Sequence, residues 1–233
     1  MTSSIRRTTP KYATRALVEE AAVANPPFAW HAPAVVFAAV CVMVGVYWDI
    51  SWHMSIGRDS FWTPAHLLIQ TGGLIAGLTS GYVALRTTFG SDVMARDQSV
   101  TFWGFRAPLG AWVAIWGCFA MVSSAPFDNW WHDAYGLDVR IISPPHTVLA
   151  LGIGGVCVAA LLLSLSWQNR EGAFQRRAMW LFAASAALLL MDRAIMLTEY
   201  SWPGEMHSGS FYRVSMLAYP MAVVMAARAS KLK

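Results

Sequence analysis

Six long apolar stretches constrain what this chain can fold into. A bilayer's hydrocarbon core is about 30 Å thick and needs roughly 20 apolar helical residues to cross it. The chain has 233 residues, of which 56% are hydrophobic and 13% charged, and this is too apolar for an ordinary soluble domain. We therefore predict an all-α, polytopic membrane helical bundle of three hairpins. The six spans are expected at about 32–51, 64–85, 107–126, 145–167, 178–198 and 211–228.

A pattern rich in potential metal ligands occurs twice, each time between the end of one apolar run and the start of the next. It reads D-x-x-W-H-x-x-x-G-x-D, then four or five residues, then P-[A/P]-H. The two copies lie within 46–70 and 127–150, and together they hold four of the six histidines. They predict an internal repeat. The ligand-type residues are Asp49, His53 and His66 in the first copy and Asp128, His132 and His146 in the second.

The spacing of these residues favours metal binding. On a helix, a four-residue spacing places Asp49 and His53 on one face, about 5–6 Å apart at Cβ. His66 follows a proline that suits the first turn of the next helix, and the short connection returns that turn to the end of the previous helix. Each copy is thus expected to converge one carboxylate and two imidazoles on one point. This donor set suits copper, zinc or non-haem iron, and the residues alone do not separate these metals.

Other residues of the repeat have supporting interpretations. Asp59 and Asp138 are expected to accept a hydrogen bond from the second imidazole or to pair with Arg58 and Arg140, and so to hold the ligands in orientation. Asp133, beside His132, is expected to support that ring or to carry protons. Gly57 and Gly136 are interpreted as turn positions.

Four further residues have interpretations outside the two copies. A decayed third copy is a weaker hypothesis, with Asp192 followed by Met196 where a histidine is expected. His31 is interpreted as an interfacial residue and His207 as a structural one.

The basic residues predict the orientation of the chain in the membrane. Of the 17 Lys and Arg residues, 13 lie in the N-terminal segment, in the 86–106 and 168–177 connections or near the C-terminus. The positive-inside rule therefore places both termini in the cytoplasm and the repeat loops on the outer face of the inner (cytoplasmic) membrane. Residues 1–27 form a cytoplasmic segment in this interpretation, and 28–233 form one transmembrane domain with no cleavable signal peptide before it. The net charge of +4 comes from loops and termini, so nucleic acid is not an expected partner.

The repeat resembles the membrane-embedded, metal-binding subunit of the copper membrane monooxygenases, that is, of the particulate methane, ammonia and hydrocarbon monooxygenases. The resemblance covers chiefly 46–70 and 127–147. It rests on D-x3-H-x12-H at Asp49, His53 and His66, and on x-x3-H-x13-H at His132 and His146, where Asp128 stands in place of the family's asparagine. It implies copper or zinc at the first triad as the catalytic ligand set and O2-dependent hydroxylation of a small apolar substrate such as methane, ammonia or another hydrocarbon. It also implies a hetero-oligomer with other monooxygenase-type subunits.

The residues leave three other functions open. A membrane protein for metal storage, transfer or insertion needs the same ligands without catalysis. A bis-histidine haem protein is a further hypothesis, although it gives the aspartate four residues before each histidine no role. A duplicated structural corner without metal is the remaining interpretation.

Overall fold

Long helices make up nearly all of the part of the chain that the computed structural model describes, which is residues 28–56, 61–136, 143–169, 175–202 and 204–231. The helices are α1 His31–Ser55, α2 Pro64–Phe89, α3 Val93–Asp97, α4 Leu109–Tyr135, α5 Pro144–Gln168, α6 Gln175–Ile195 and α7 Gly209–Ala229. The chain of α6 continues as a π-helix over Met196–Ser201.

The predicted fold class is confirmed. Within the described residues, six helices are long and apolar enough to cross a membrane. The protein is therefore an all-α polytopic membrane bundle. The internal repeat stays a prediction from the sequence, and the N-terminal segment 1–27 lies outside the described residues.

Two helices extend further than their apolar stretches indicate. The expected spans end near 51 and 126, but α1 continues to Ser55 and α4 to Tyr135. Pro126 lies inside α4, where membrane helices tolerate proline because neighbouring groups satisfy the freed backbone. The extensions place His53, Asp128 and His132 on regular helix instead of on loops.

The connection between α2 and α4 contains structure of its own. Besides the short helix α3, it forms an antiparallel β-hairpin of β1 Val100–Phe102 and β2 Phe105–Ala107. The two turn residues, Trp103 and Gly104, have φ of 47° and 82°, the left-handed conformation that a two-residue hairpin turn requires.

In each of the first two hairpins, the backbones of the two helices approach each other closely. A Cβ on Gly72 of α2 would lie 2.8 Å from the backbone oxygen of Ala38 on α1. A Cβ on Gly117 of α4 would lie 2.9 Å from the backbone oxygen of Gly152 on α5. Small residues at such crossings let membrane helices pack by van der Waals contact alone. Each hairpin is therefore a tight pair, and the end of its first helix lies beside the start of its second.

The core lies around α5, which packs against α1, α2, α4 and α6. Its buried residues include Met43, Met121, Val156 and Cys157. The helices alternate in direction, so the ends of α1 and α4 and the starts of α2 and α5 lie at one end of the bundle. The ends of α2, α5 and α7, the β-hairpin and the start of α6 lie at the other end, which we call the basic end.

Candidate metal centre

The first ligand set lies where α1 ends and α2 begins. Asp49 and His53 are one turn apart in the last two turns of α1, and His66 is the third residue of α2, after Pro64. Because Pro64 lacks a backbone N–H, it costs nothing at the first position of a helix, where that donor has no helical partner. The tight α1–α2 packing then brings His66 opposite Asp49.

The side chains of this set converge on the Asp49 carboxylate. Its Oδ1 lies 3.0 Å from Nε2 of His66, and its Oδ2 lies 3.8 Å from Nε2 of His53. One donor atom from each of the three residues lies within 4.8 Å of the other two. In the described part of the chain this is the one such group of three found among His, Cys, Asp and Glu.

A buried oxygen without a hydrogen bond supports metal ligation here. Asp49 Oδ1 is buried and has no hydrogen bond, because its close approach to His66 lacks the alignment of one. Such an atom costs about 1–3 kcal/mol unless a partner occupies the site. Donors bound at 2.0–2.1 Å to a tetrahedral ion are about 3.3 Å apart, and Asp49 Oδ1 and His66 Nε2 lie at a similar separation of 3.0 Å. The three residues therefore fit a transition-metal ion.

The second ligand set lies at the corresponding place on α4 and α5. Nε2 of His132 lies 3.4 Å from Asp128 Oδ1, and Nδ1 of His146 lies 3.9 Å from the same oxygen. This oxygen is also buried without a hydrogen bond. The carboxylate again lies between two imidazoles, but the three donors do not meet the 4.8 Å separation that the first set meets.

Backbone and side-chain contacts hold the second pair of imidazoles. Nδ1 of His132 is 3.1 Å from the backbone oxygen of Gly136, and Nδ1 of His146 is 2.6 Å from Oγ of Ser143. The same Ser143 hydroxyl caps the N-terminus of α5. The Nδ1 of His146 that faces Asp128 is thus already bonded to a protein group.

The residue before the proline is a feature that the sequence pattern missed. Thr63 and Ser143 both precede the proline that starts the returning helix, so the pattern extends to [S/T]-P-x-H. Ser143 bonds to His146, whereas Oγ1 of Thr63 is buried and has no hydrogen bond. The hydroxyl residue that precedes the proline in both copies is the sequence signal that could have identified this feature.

Gln70 links the first set to the second hairpin. It lies one turn after His66 on α2, and its Nε2 donates a 3.4 Å hydrogen bond to the backbone oxygen of Met121 on α4. This contact fixes α2 against α4 just below the first ligand set.

The supporting residues have different outcomes. Asp59 and Asp138, like Gly57, lie outside the described residues. Gly136 has φ of 84° directly after α4, so its predicted turn is confirmed. The exposed Asp133 accepts a 3.4 Å hydrogen bond from Asn129 one turn earlier, and its predicted role beside His132 stays a prediction.

The remaining candidates are engaged elsewhere. His31 begins α1 but is buried, and its Nε2 lies 3.0 Å from the hydroxyl of Ser80 on α2. His207 lies 3.2 Å from the hydroxyl of Tyr212. Asp192 is buried and bonds to Arg193, so the carboxylate of the proposed third copy has a guanidinium as partner.

Comparison with protein families finds no family model that matches the chain, and comparisons with curated proteins and with solved structures find no match. The geometry therefore carries the assignment. Fold and site define a polytopic helical membrane protein with a candidate Asp–His–His metal centre where its first hairpin turns.

Proposed function

We propose that this protein is an integral membrane, copper-dependent oxidoreductase similar to the membrane-embedded, metal-binding subunit of the copper membrane monooxygenases. In this proposal it takes part in the O2-dependent hydroxylation of a small apolar substrate such as methane, ammonia or another hydrocarbon. The observation that carries the proposal is the convergence of His53 and His66 on the Asp49 carboxylate, whose Oδ1 is buried and has no hydrogen bond. Zinc and iron suit the same donors and remain alternatives to copper.

The residues of the first set have distinct roles in this proposal. Asp49 supplies the anionic donor and neutralises part of the ion's charge at the edge of the membrane. His66 fixes the donor set across the hairpin, and the half-exposed His53 leaves one side accessible. A copper ion held there would supply the redox chemistry that activates O2. Three protein donors leave an open coordination position, as catalytic sites do.

The second set, Asp128, His132 and His146, is proposed to hold a second ion more weakly. Its donors are less compact, and His146 is already bonded through Nδ1 to Ser143. An ion there must displace the Ser143 hydroxyl from His146 Nδ1 or bind at a longer distance from that nitrogen.

The proposed setting is the inner membrane, with both termini in the cytoplasm and the repeat loops on the outer side. The support is the excess of Lys and Arg at the basic end. The proposed partners, besides the lipid bilayer, are other monooxygenase-type subunits in a hetero-oligomer. An external two-electron donor is also required, because reducing O2 to one hydroxyl group and one water consumes two electrons from it.

The test begins with elemental analysis of the purified, detergent-solubilised chain beside His53→Ala and His132→Ala. We expect two copper ions in the wild type and one in each variant. Metal-loaded protein, with a reductant, O2 and its co-purified partners, is expected to hydroxylate a member of a panel of small alkanes and ammonia. No product from copper-loaded preparations across that panel would contradict the catalytic proposal.

Metal storage or transfer is the second candidate function. The observation that favours it is that the His53 side chain is 46% exposed, which suits exchange of an ion with a carrier. In this case copper moves reversibly to a competing chelator, its bound spectrum does not respond to O2, and no substrate is oxidised. A protein that binds no copper, zinc or non-haem iron, whether or not it shows the Soret band of a haem, would contradict both candidates.

A further inference from the structure

The last helix, α7, packs unlike the other membrane helices. None of its described residues is buried, and its main helix partner is α6. Its main polar attachment is at the basic end, where buried Gln168 of α5 donates through Nε2 to the backbone oxygen of Ala229 at 2.7 Å. Oε1 of Gln168 also accepts a 3.5 Å bond from the backbone N–H of Lys231. Hydrogen bonds thus attach α7 to α5 at its C-terminal end, and the rest of the helix is not buried against the bundle.

An apolar crevice of about 360 Å³ separates α7 from α6. Small side chains form most of its walls, and one hydroxyl, that of Ser230, lines it at the basic end. The small wall residues are Ala183, Ala186 and Ala187 on α6 and Val223, Ala226 and Ala227 on α7. The spacing of three and four residues on each helix makes each wall one continuous face.

Basic side chains flank this crevice where it ends. Arg176 and Arg177 lie in the first turn of α6, and Arg228 and Lys231 lie at the end of α7. All four are exposed. Because α6 and α7 run in opposite directions, the four lie at one end of the crevice. The described residues 175–182 and 223–231 contain no acidic side chain.

We propose that this crevice binds an anionic phospholipid, with one acyl chain between α6 and α7 and the phosphate at the basic end. Basic sites between membrane helices bind anionic lipid head groups in this way. The volume lies in the range of small-molecule sites, about 300–1,000 Å³.

A helix from another chain fits the crevice less well, because a helix offers no phosphate to the basic residues at its end. The charge around the crevice therefore favours the lipid.

The test is native mass spectrometry of the full, delipidated chain titrated with phosphatidylglycerol or with phosphatidylcholine. We expect one phosphatidylglycerol to bind in preference to phosphatidylcholine. The double variant Arg176→Gln/Arg228→Gln is expected to bind phosphatidylglycerol about 25-fold more weakly, from about fivefold for each arginine. Ala187→Phe fills the crevice and is expected to remove binding of both lipids while all charges are kept.

The matched control is Arg86→Gln/Arg106→Gln, which removes the same charge from the same end but away from the crevice. It is expected to bind phosphatidylglycerol as the wild type does, and the elution volume and unfolding midpoint of each variant check its fold. Equal loss in the control and the test variant would show a non-specific surface effect and overturn the proposal. A change in oligomeric state on Ala187→Phe, without a change in lipid binding, would assign the crevice to another chain and overturn it too.

Discussion

Asp49 Oδ1 and His66 Nε2 lie 3.0 Å apart across the α1–α2 hairpin, without the alignment of a hydrogen bond. The helix end therefore holds a carboxylate oxygen that is buried and available to a metal ion. Four predictions test this site and the packing that supports it.

The first prediction concerns Asp49→Asn, which keeps the side-chain volume and removes the anionic donor. An ion at 100 times its dissociation constant stabilises the folded state by about 2.7 kcal/mol. We expect copper to raise the unfolding midpoint of the wild type and to have a much smaller effect on the variant, measured by thermal unfolding in detergent. The metal-free variant is expected to match or exceed the stability of the metal-free wild type, because it no longer buries a carboxylate oxygen that lacks a hydrogen bond.

Asp97→Asn is the matched control, since it removes an exposed carboxylate at the end of α3, away from both ligand sets. Copper is expected to stabilise it as it stabilises the wild type. An equal response of Asp49→Asn and the wild type to copper would contradict the assignment of Asp49 as a ligand.

The second prediction concerns Ser143→Gly in a His53→Ala background, where the second set is isolated. Nδ1 of His146 is the nitrogen that faces Asp128, and the Ser143 hydroxyl occupies it at 2.6 Å. Removing the hydroxyl should let that nitrogen reach the ion, so the copper affinity of the second set is expected to rise. Glycine at an N-cap position costs only a few tenths of a kcal/mol, so α5 should remain intact.

The measurement is competition with a copper chelator, beside Thr63→Gly in the same background. Thr63 occupies the equivalent position in the first hairpin, and its substitution should leave the affinity of the second set unchanged. A lower affinity in Ser143→Gly would instead show that the hydroxyl orients His146 for binding through its other nitrogen.

Local patterns in the sequence predict much of the fold and of the first site. The apolar runs locate six spans, because a bilayer demands long helices whose backbone bonds are satisfied internally. The four-residue spacing of Asp49 and His53, with the proline before His66, predicts a hairpin turn that brings the three side chains together. Each of these signals is contained in one short stretch of chain.

Features that depend on distant residues are not predictable in this way. The contact between His31 and Ser80 joins positions 49 residues apart, and nothing near either residue indicates its partner. The donor atoms of the second ligand set lie further apart than those of the first. Their separation depends on the distance between the backbones of α4 and α5, which the sequence spacing of the ligand-type residues does not encode. The β-hairpin at 100–107 is short, and its aromatic residues also suit a membrane interface.

The third prediction concerns the contact between His31 of α1 and Ser80 of α2. Nε2 of His31 is 3.0 Å from Oγ of Ser80, and both side chains are buried. Ser80→Ala leaves the imidazole without its partner and is expected to lower the free energy of unfolding by about 1–2 kcal/mol. The double variant His31→Phe/Ser80→Ala is expected to recover most of that loss, because replacing both partners by apolar groups removes the unsatisfied donor. Chemical denaturation in mixed micelles measures the cycle, and copper content should stay constant throughout.

The fourth prediction concerns Asp192 and Arg193 at the α5–α6 interface. Nε of Arg193 lies 2.8 Å from Oδ2 of Asp192, whose side chain is 1% exposed. A Cβ on Gly154 of α5 would lie 2.8 Å from Nη2 of Arg193, so that glycine leaves the space the guanidinium occupies. Arg193→Gln leaves the buried carboxylate without its charge partner. It is expected to destabilise the fold by about 1–3 kcal/mol, less than for a fully buried pair, because the Arg193 side chain is 54% exposed and solvent screens its charge.

The double variant Asp192→Asn/Arg193→Gln is expected to recover most of that stability, because two neutral amides replace the ion pair. Thermal unfolding of the three proteins in one detergent measures the cycle. Copper content per folded chain should be the same in all three, because the guanidinium rather than a metal ion neutralises Asp192 in the third hairpin. Loss of a copper equivalent in the double variant would contradict this and would make Asp192 a ligand.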